Sequence, residues 1–310
     1  MIAKTARIVL TGGAGFLGSV VARRLTSSDY TNISIIRSSE YDLTKESDVS
    51  QMYLDKRPEI VIHMAAVVGG IGINQQKPGS FYYDNLMMGT LLQEYGRRHN
   101  VQKFVTIGTI CAYPKHTIVP FQESALWDGY PEETNAPYGL AKKMLLVQAQ
   151  AYRKEYGFNS IYLLPVNMYG PNDNFNLDSS HVIPAIIRKC IDAKRANAQS
   201  ITCWGTGVAT REFLYVDDAA EAIVLATEKY DGAEPVNIGS GDEISIYALT
   251  LLIAKMTGYR GEIAWDHSKP DGQPRRCLDT RRAQQLFGFK CNTTLHNGLK
   301  NTIEWYESRL

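Results

Sequence analysis

The sequence predicts an α/β fold: a doubly wound parallel sheet with helices on both faces, followed by a smaller C-terminal domain. Three observations support this prediction. Short apolar runs recur through the first half of the chain, segments of helical periodicity separate them, and a glycine-rich turn follows the first run. Beyond about residue 170 this alternation gives way to a polar, turn-rich segment and then to mixed short elements.

The apolar runs predict the strands of the sheet in chain order. Runs of apolar residues without polar alternation are typical of strands that are buried on both faces. The predicted strands cover residues 7–11, 33–36, 60–63, 103–107 and 160–164. Helical periodicity covers residues 15–26, 85–99 and 138–156, and a final helix lies near residues 295–309.

We divide the chain into a larger domain, residues 1–170, and a smaller domain, residues 171–310. In folds of this kind the smaller part usually closes over the ligand. Some of its segments are expected to return to the larger domain, and the apolar run at residues 236–238 is the candidate for a further strand of the sheet.

Composition excludes several classes of function. The 310 residues include 44% hydrophobic and 21% charged residues and carry a formal net charge of +1, so no electrostatic case exists for nucleic acid or a membrane surface. No apolar run reaches the roughly 18 residues of a bilayer span, and a strand begins where a signal peptide would lie. The cysteines form no CxxC pair, which fits a reducing cytoplasm and argues against a metal site or a disulfide framework: Cys111, Cys190, Cys203, Cys277 and Cys291.

The glycine-rich turn, residues 11–18, follows the first strand and opens the first helix with the spacing GxxGxxG. Gly12 permits a tight turn, Gly15 lets the backbone approach a pyrophosphate, and Gly18 lets the helix pack against the strand. The free N–H groups and the dipole at the helix N-terminus then bind the anion. In this strand–turn–helix context the pattern predicts dinucleotide binding in a Rossmann-type domain.

The end of the second strand indicates which dinucleotide is bound. A site selective for NAD would place a carboxylate there to accept a hydrogen bond from the ribose 2′-hydroxyl. This chain instead has Arg37 and Ser38, which suit a 2′-phosphate, although Glu40 lies nearby and a solvated surface arginine is the plainer interpretation. The sequence therefore predicts NADP(H), with Asp42 and Leu43 bordering the adenine.

Tyr138 and Lys142 are four residues apart and so share one side of a predicted helix. A neighbouring ammonium stabilises a phenolate, so we expect Lys142 to lower the pKa of Tyr138 and to bond the cofactor ribose. Thr109 follows the predicted strand 103–107, at the end of a parallel strand where active-site groups cluster. Its hydroxyl is suited to orient a substrate carbonyl beside Tyr138. With these residues the chain resembles the extended short-chain dehydrogenases/reductases that modify nucleotide sugars.

Two further residues predict proton transfer at carbon. Cys111 lies two residues after Thr109, so in an extended segment both share a face, and a thiolate there is able to remove a proton next to a carbonyl. His181 lies between the polar segment and an apolar helix, and an imidazole is a natural proton donor to the opposite face of an enolate. Taken alone, each is more often a structural residue.

Longer sequence motifs favour the catalytic interpretation of Cys111 and His181, because these motifs resemble the GDP-L-fucose synthase family over almost the whole chain. The most specific are C-A-Y-P-K at residues 111–115 and S-H-V-I-P at residues 180–184. The others lie at residues 68–71, 135–138, 167–175, 204–207, 211–214 and 269–272. The resemblance implies an NADPH-dependent 3,5-epimerase/4-reductase acting on GDP-4-keto-6-deoxy-D-mannose, with Cys111 as base, His181 as acid, and Tyr138 as the proton donor that Thr109 and Lys142 assist.

The resemblance also implies the ligand contacts. The implied cofactor contacts are Gly12, Gly15, Phe16, Leu17, Gly18, Arg37, Ser38, Asp42, Leu43, Ala65, Lys142, Pro165, Asn167, Met168 and His181. The implied contacts to the GDP-sugar are Lys189, Trp204, Arg211 and Asp271. Extended members commonly form homodimers through helices that correspond to residues 85–99 and 138–156, so a homodimer is expected here.

Alternatives remain at this level. A nucleotide-sugar dehydratase would carry an Asp-Glu pair where this chain has Ile110 and Cys111, and a simple 4-epimerase needs no cysteine–histidine pair. The family often has serine at the position of Thr109 and a more arginine-rich segment around Arg37, so an epimerase/reductase of another GDP-4-keto sugar, such as a heptose or dideoxy sugar, is the main alternative. A non-catalytic dinucleotide sensor is disfavoured because such proteins typically lose the tyrosine or the lysine.

Overall fold

A computed structural model describes residues 2–310 of the chain. The strands are β1 (Ile8–Thr11), β2 (Ile33–Ile36), β3 (Ile60–His63), β4 (Lys103–Ile107), β5 (Ser160–Pro165), β6 (Asn167–Tyr169), β7 (Ser200–Trp204), β8 (Thr210–Tyr215), β9 (Val236–Ile238), β10 (Glu243–Ser245), β11 (Glu262–Asp266) and β12 (Arg275–Arg276). The helices are α1 (Phe16–Ser27), α2 (Glu46–Lys56), α3 (Ile71–Gln76), α4 (Pro78–Arg98), α5 (Ala136–Tyr156), α6 (Val182–Arg195), α7 (Val216–Lys229), α8 (Ile246–Thr257), α9 (Arg281–Phe287) and α10 (Leu295–Glu307).

Six strands form the central parallel sheet in the order β2-β1-β3-β4-β5-β9. The order reverses beside β1, and in such sheets the ligand crevice lies beyond the carboxyl ends of the strands at this point. Four of these strands (β1, β3, β4 and β5) are buried along their whole length, as the apolar runs predict. The predicted α/β fold, a doubly wound parallel sheet, is confirmed, and β9 returns to it from the C-terminal half.

The C-terminal part adds small sheets around a second apolar core. Strand β8 pairs with β6, β10 and β12, and β7 pairs with β11. Helices α6, α8 and α10 contribute most of the second core. Helix α7 packs back on α1 of the larger domain, where Arg23 forms an ion pair with Asp217 at 2.5 Å. The boundary at residue 170 stays a prediction, because this return shows only that the chain crosses between the two parts more than once.

Two predicted helices begin earlier than their periodicity suggests. Helix α4 begins at Pro78 instead of residue 85, because proline is tolerated in the first helical turn and its fixed φ suits the helix. Helix α5 begins at Ala136, with Pro137 in its first turn, two residues before the predicted start. Within residues 2–310 no helix combines the length and the apolar character that crossing a membrane requires.

Candidate active site

One cavity of about 1650 Å³ lies at the carboxyl ends of the central strands and extends under the C-terminal part. Every site residue predicted from the sequence lines it. The cofactor set comprises Gly12, Gly15, Phe16, Leu17, Gly18, Arg37, Ser38, Asp42, Leu43, Ala65, Lys142, Pro165, Asn167, Met168 and His181, and the remaining residues are Thr109, Cys111, Tyr138, Lys189, Trp204, Arg211 and Asp271. The fold therefore brings together side chains that are up to 259 positions apart in the chain (271 minus 12).

The glycine turn forms a cradle at the start of α1. Gly12 has φ +71°, and a Cβ there would lie 2.7 Å from the backbone nitrogen of Ala65, so only glycine fits. A Cβ at Gly18 would collide with the Gly12 carbonyl. Helix α1 begins at Phe16, and its N-cap residue Gly15 provides no side-chain hydrogen bond. Its first residues line the cavity, and their amide groups have no hydrogen-bond partner within residues 2–310, as a phosphate-binding helix terminus requires.

The segment after β2 forms a second wall of the cavity. Its turn is held by Asp42, whose Oδ1 accepts hydrogen bonds from the Thr44 amide at 3.1 Å and the Thr44 hydroxyl at 2.6 Å. Arg37 and Ser38 are exposed at the mouth of the cavity, and Leu43 is buried beneath them. The Arg37 side chain makes no hydrogen bond or ion pair with the part of the chain that the structure describes, so its charge is available to an anion.

Tyr138 and Lys142 occupy successive turns of α5, beside Thr109 at the end of β4. Burial and the neighbouring Cys111 raise the pKa of the Tyr138 phenol, and a hydrogen bond with Thr109 lowers it in part. Burial also lowers the pKa of Lys142 to about 8. The expectation that Lys142 lowers the phenol pKa is therefore wrong for this structure, because burial dominates. A phenol that keeps its proton is suited to donate one.

Cys111 lies in a short 3-10 turn (Ile110–Ala112), so the expected extended segment is wrong beyond Thr109. The turn forms because the Thr109 hydroxyl accepts a hydrogen bond from the Cys111 amide at 3.2 Å. The Cys111 sulfur nevertheless lies in the same cavity, 3.6 Å from Nη1 of Arg276. It is also close enough to Tyr138 to raise the pKa of the Tyr138 phenol. The thiol and the phenol thus approach the same region of the cavity.

His181 lies at the N-cap of α6, and its side chain is exposed to the cavity. Dense protein around the ring lowers the pKa of the imidazole through desolvation. Pro165 ends β5, and Asn167 and Met168 begin β6, where the Asn167 amide donates to the Glu212 carbonyl at 3.1 Å. These residues form the floor between the two parts of the chain.

Two of the predicted substrate contacts, Lys189 and Trp204, lie on the wall that α6 and β7 form. Lys189 projects from α6 and donates to the Thr202 carbonyl at 2.7 Å. Trp204, at the end of β7, is 50% exposed, so its face is open to a ligand and not part of the core. The Lys269 ammonium lies 5.3 Å from the centre of the indole ring. This wall therefore offers a flat aromatic surface with cations beside it.

Arg211 and Asp271 are neighbours in the lining of the cavity. Arg211 donates through Nη2 to the Asp271 carbonyl at 2.9 Å, and burial, with a smaller effect from Arg276, lowers its pKa to about 10. Both carboxylate oxygens of Asp271 accept hydrogen bonds from Thr206, at 2.8 and 2.7 Å. Asp271 thus has a clear structural role in orienting the loop, beside the ligand contact predicted for it.

Sequence reasoning missed Arg276 and Gln273, which line the same cavity. Both are buried and follow Asp271 within a few residues, so the string that placed Asp271 was the available signal. Asp173 was also missed. Burial raises the pKa of this cavity-lining carboxyl to about 7, and its position in a polar loop gave no sign of burial.

Comparisons with known proteins agree with this geometry. Residues 8–239 match the model of the NAD dependent epimerase/dehydratase family. The chain is 40% identical to GDP-L-fucose synthase 1 of Arabidopsis thaliana over 303 residues, which cover 98% of this chain and 94% of that protein.

Two solved structures are similar at 26% identity. A GDP-6-OMe-4-keto-L-xylo-heptose reductase from C. jejuni has a TM-score of 0.94, and the match covers 100% of this chain and 99% of the reductase chain. A GDP-L-fucose synthetase from Naegleria fowleri bound to NADP has a TM-score of 0.91, and the match covers 100% of this chain and 96% of the synthetase chain.

Proposed function

The chain belongs to the NAD dependent epimerase/dehydratase family, within its GDP-L-fucose synthase group, and we propose that it converts GDP-4-keto-6-deoxy-D-mannose to GDP-L-fucose. The reaction comprises epimerisation at C3 and C5 and NADPH-dependent reduction at C4. One observation carries the proposal: the thiol of Cys111 lies beside the phenol of Tyr138 in the cavity that the glycine turn also lines. This arrangement combines a base for C–H bonds with the proton donor of a reductase.

NADP(H) is the cofactor, and it supplies the hydride for C4. The glycine cradle and the uncapped start of α1 suit its pyrophosphate. Arg37 and Ser38 provide a cation and a hydroxyl for a 2′-phosphate at the cavity mouth. Lys142 is buried beneath the cavity, where its ammonium is suited to bind the ribose hydroxyls.

The proton steps follow from the chemistry of a C4 ketone, which acidifies the C–H bonds at C3 and C5. Cys111, as thiolate, removes a proton, and the electron pair moves onto the C4 oxygen to form an enolate. Tyr138 and Thr109 stabilise this oxygen by hydrogen bonding. His181 returns a proton to the opposite face. Cys111 then loses its proton to solvent and His181 takes one up from solvent, so a second round inverts the other centre. After hydride transfer to C4, Tyr138 donates its proton to the C4 oxygen.

The GDP portion requires cations and an aromatic surface. Lys189 and Arg211 suit the pyrophosphate because each carries a positive charge into the cavity. Trp204 presents an open apolar face at the same wall. We assign these contacts to the GDP-sugar, with Asp271 orienting Arg211 through its carbonyl.

The test is to incubate the purified protein with NADPH and GDP-4-keto-6-deoxy-D-mannose and to identify the product by NMR. We expect GDP-L-fucose and stoichiometric oxidation of NADPH. A product that is reduced at C4 but not epimerised at C3 and C5, or no consumption of NADPH, would refute the proposal.

The second candidate is an epimerase/reductase of another GDP-4-keto sugar, such as a heptose or a dideoxy sugar. Two observations favour it: the fold similarity to the C. jejuni heptose reductase and the extra methyl of Thr109 compared with serine. A competition assay with equal concentrations of the hexose and a GDP-4-keto-heptose distinguishes the two. A higher kcat/KM for the heptose would replace the first proposal.

A further inference from the structure

A short segment of the C-terminal part, residues 273–276, contacts the loop that carries Cys111. Gln273 is buried and donates through Nε2 to the carbonyls of Pro114 at 3.2 Å and Lys115 at 2.8 Å. Its Oε1 accepts a hydrogen bond from Nε of Arg276 at 2.8 Å. Nη1 of Arg276 then donates to the Cys111 sulfur at 3.6 Å. The Arg276 guanidinium is therefore held by two contacts: Gln273, which is bonded to the loop that carries Cys111, and the Cys111 sulfur.

Arg276 has no carboxylate partner within residues 2–310, in contrast to its neighbour Arg275, which forms an ion pair with Glu243 at 2.6 Å. Arg276 and Arg211 are register partners on the parallel strands β12 and β8, so their side chains leave the same face of the sheet. Both are buried, and their mutual repulsion helps to lower the pKa of Arg211. A negative charge between them would relieve this repulsion.

The sulfur of Cys111 is placed to carry that charge. It is in contact with Arg276 and near enough to Arg211 to offset part of the lowering of that residue's pKa. Other titratable groups nearby are Tyr138, which stays protonated, and the carboxylates of Glu132 and Asp271. Both carboxylates are already hydrogen-bonded, to Thr134 and Asn135 or to Thr206 respectively.

We infer that Arg276, oriented by Gln273, is a positioning residue for the epimerisation steps: it stabilises Cys111 as a thiolate and aims the sulfur at the substrate. This inference rests on the proposed function. In each deprotonation the C–H proton passes to the sulfur and the electron pair passes to the C4 oxygen, so the thiolate charge is lost next to Arg276. The guanidinium thus favours the reactive form before the step and is not itself consumed.

The test compares Arg276→Gln and Arg276→Lys with the matched control Arg275→Gln, which removes an exposed arginine from the adjacent position. Solvent-deuterium incorporation at C3 and C5 reports epimerisation, and NADPH oxidation with the already epimerised ketone reports reduction. We expect Arg276→Gln to slow exchange at least ~10-fold, or about 1.4 kcal/mol, while reduction stays within about 2-fold of wild type. Arg276→Lys should restore most of the exchange, and the control should be unchanged.

Two readouts exclude a merely structural role. In Arg276→Gln the pH profile of exchange should move to higher pH, because the positive charge that contacts the Cys111 sulfur is removed. The alkylation rate of Cys111 by iodoacetamide, measured without any sugar, should show the same displacement. The inference would be overturned if Arg276→Gln left the exchange unaltered. It would also be overturned if exchange, reduction and NADPH binding fell equally while the pH profile of exchange stayed in place. If the wild type fails to act on the hexose, the alkylation profile still decides the role of Arg276, so the two failures are distinguishable.

Discussion

At the residue scale, the proposed reductase centre contains two buried groups whose pKa values move in opposite directions. Burial raises the pKa of Tyr138, so the phenol keeps the proton that we assign to reduction, and burial lowers the pKa of Lys142 to about 8. Each shift disfavours the charged form of its group, as desolvation must. The phenol therefore keeps its proton across the neutral range, whereas the Lys142 ammonium, which we assign to the cofactor ribose, is the group that titrates.

We predict that the rate of reduction falls as pH rises through about 8, because Lys142 loses its charge there. The sign follows from the lowered pKa: the ammonium is present below this value and lost above it. The measurement is the pH profile of kcat/KM for NADPH oxidation. Lys142→Arg should move the alkaline limb upward, because a guanidinium stays charged to much higher pH. If the alkaline limb of the pH profile were identical in Lys142→Arg and the wild type, the limb would report the titration of another group.

Cys111 and Tyr138 should separate the two chemistries. Cys111→Ser is expected to keep NADPH binding but lose solvent-deuterium exchange at C3 and C5, since a serine hydroxyl is a far weaker base than a thiolate. Tyr138→Phe should lose reduction by about 100-fold or more while binding of NADPH changes little. Undiminished exchange in the first variant, or normal hydride transfer in the second, contradicts the assigned role.

Arg37 allows a separate test of cofactor choice. Its guanidinium is exposed at the cavity mouth and free of ion pairs within the described chain, so Arg37→Ala should weaken NADPH much more than NADH. We expect the KM for NADPH to rise about 10-fold and that for NADH to stay within about 2-fold. A wild-type preference for NADH would refute the assignment of Arg37 to a 2′-phosphate.

The sequence was sufficient to predict residues that line one cavity but not their local geometry. Tyr138, Lys142 and the glycines follow from spacing, because helical and turn geometry is local. The contact between Cys111 and Arg276 joins residues 165 positions apart, and no local pattern contains that information.

At the element scale, α4 and α5 form the longest helical pair, and a single carboxylate links them. Glu94 of α4 accepts hydrogen bonds from Tyr152 of α5 at 2.8 Å, from Arg97 at 3.0 and 2.7 Å, and from Arg98 at 2.6 Å. Arg97 is the largest cause of the lowering of its pKa to about 2. The folded-state pKa is below the ordinary value of 4.5, so this contribution to stability is present above pH 4.5 and lost as pH falls towards 2.

Glu94→Gln should therefore lower the free energy of unfolding by about 1–3 kcal/mol at pH 7 and by much less near pH 3, as measured by urea denaturation. The matched control is Glu304→Gln, whose ion pair with Lys300 spans 3.9 Å between exposed side chains and should change stability by less than about 0.5 kcal/mol. An equal loss at both pH values would mean that packing, and not charge, makes Glu94 stabilising.

Elements of the larger domain were easier to predict than those of the C-terminal part. Buried parallel strands are continuous apolar runs, so β1, β3, β4 and β5 stand out in the sequence. Strands β10 and β12 have only three and two residues, too few to show a period, and their pairing with β8 joins segments far apart in the chain.

At the scale of the whole molecule, one long face of α5 is apolar yet open. Leu140, Met144, Val147 and Ala151 follow one another at helical spacing, and Val147 is 43% exposed. The opposite face, with Leu145 and Leu146, is buried. Helix α4 packs beside α5 and exposes Tyr83 at 56%. Two copies of this helix pair would form a closed, symmetric four-helix contact.

We therefore predict that the chain is a homodimer through α4 and α5, with a mass by light scattering twice that of one chain. Val147→Glu should shift the equilibrium to monomer, because two like charges would be buried against apolar surface across the symmetry axis. The control is Val208→Glu, which alters an even more exposed valine, 72%, outside α4 and α5 and should leave the mass unchanged. The predicted interface would be contradicted if the wild type were a monomer at micromolar concentration or if Val147→Glu remained a dimer. Because the active-site cavity is built from residues of one chain, the monomeric variant should retain NADPH binding, which separates assembly from catalysis.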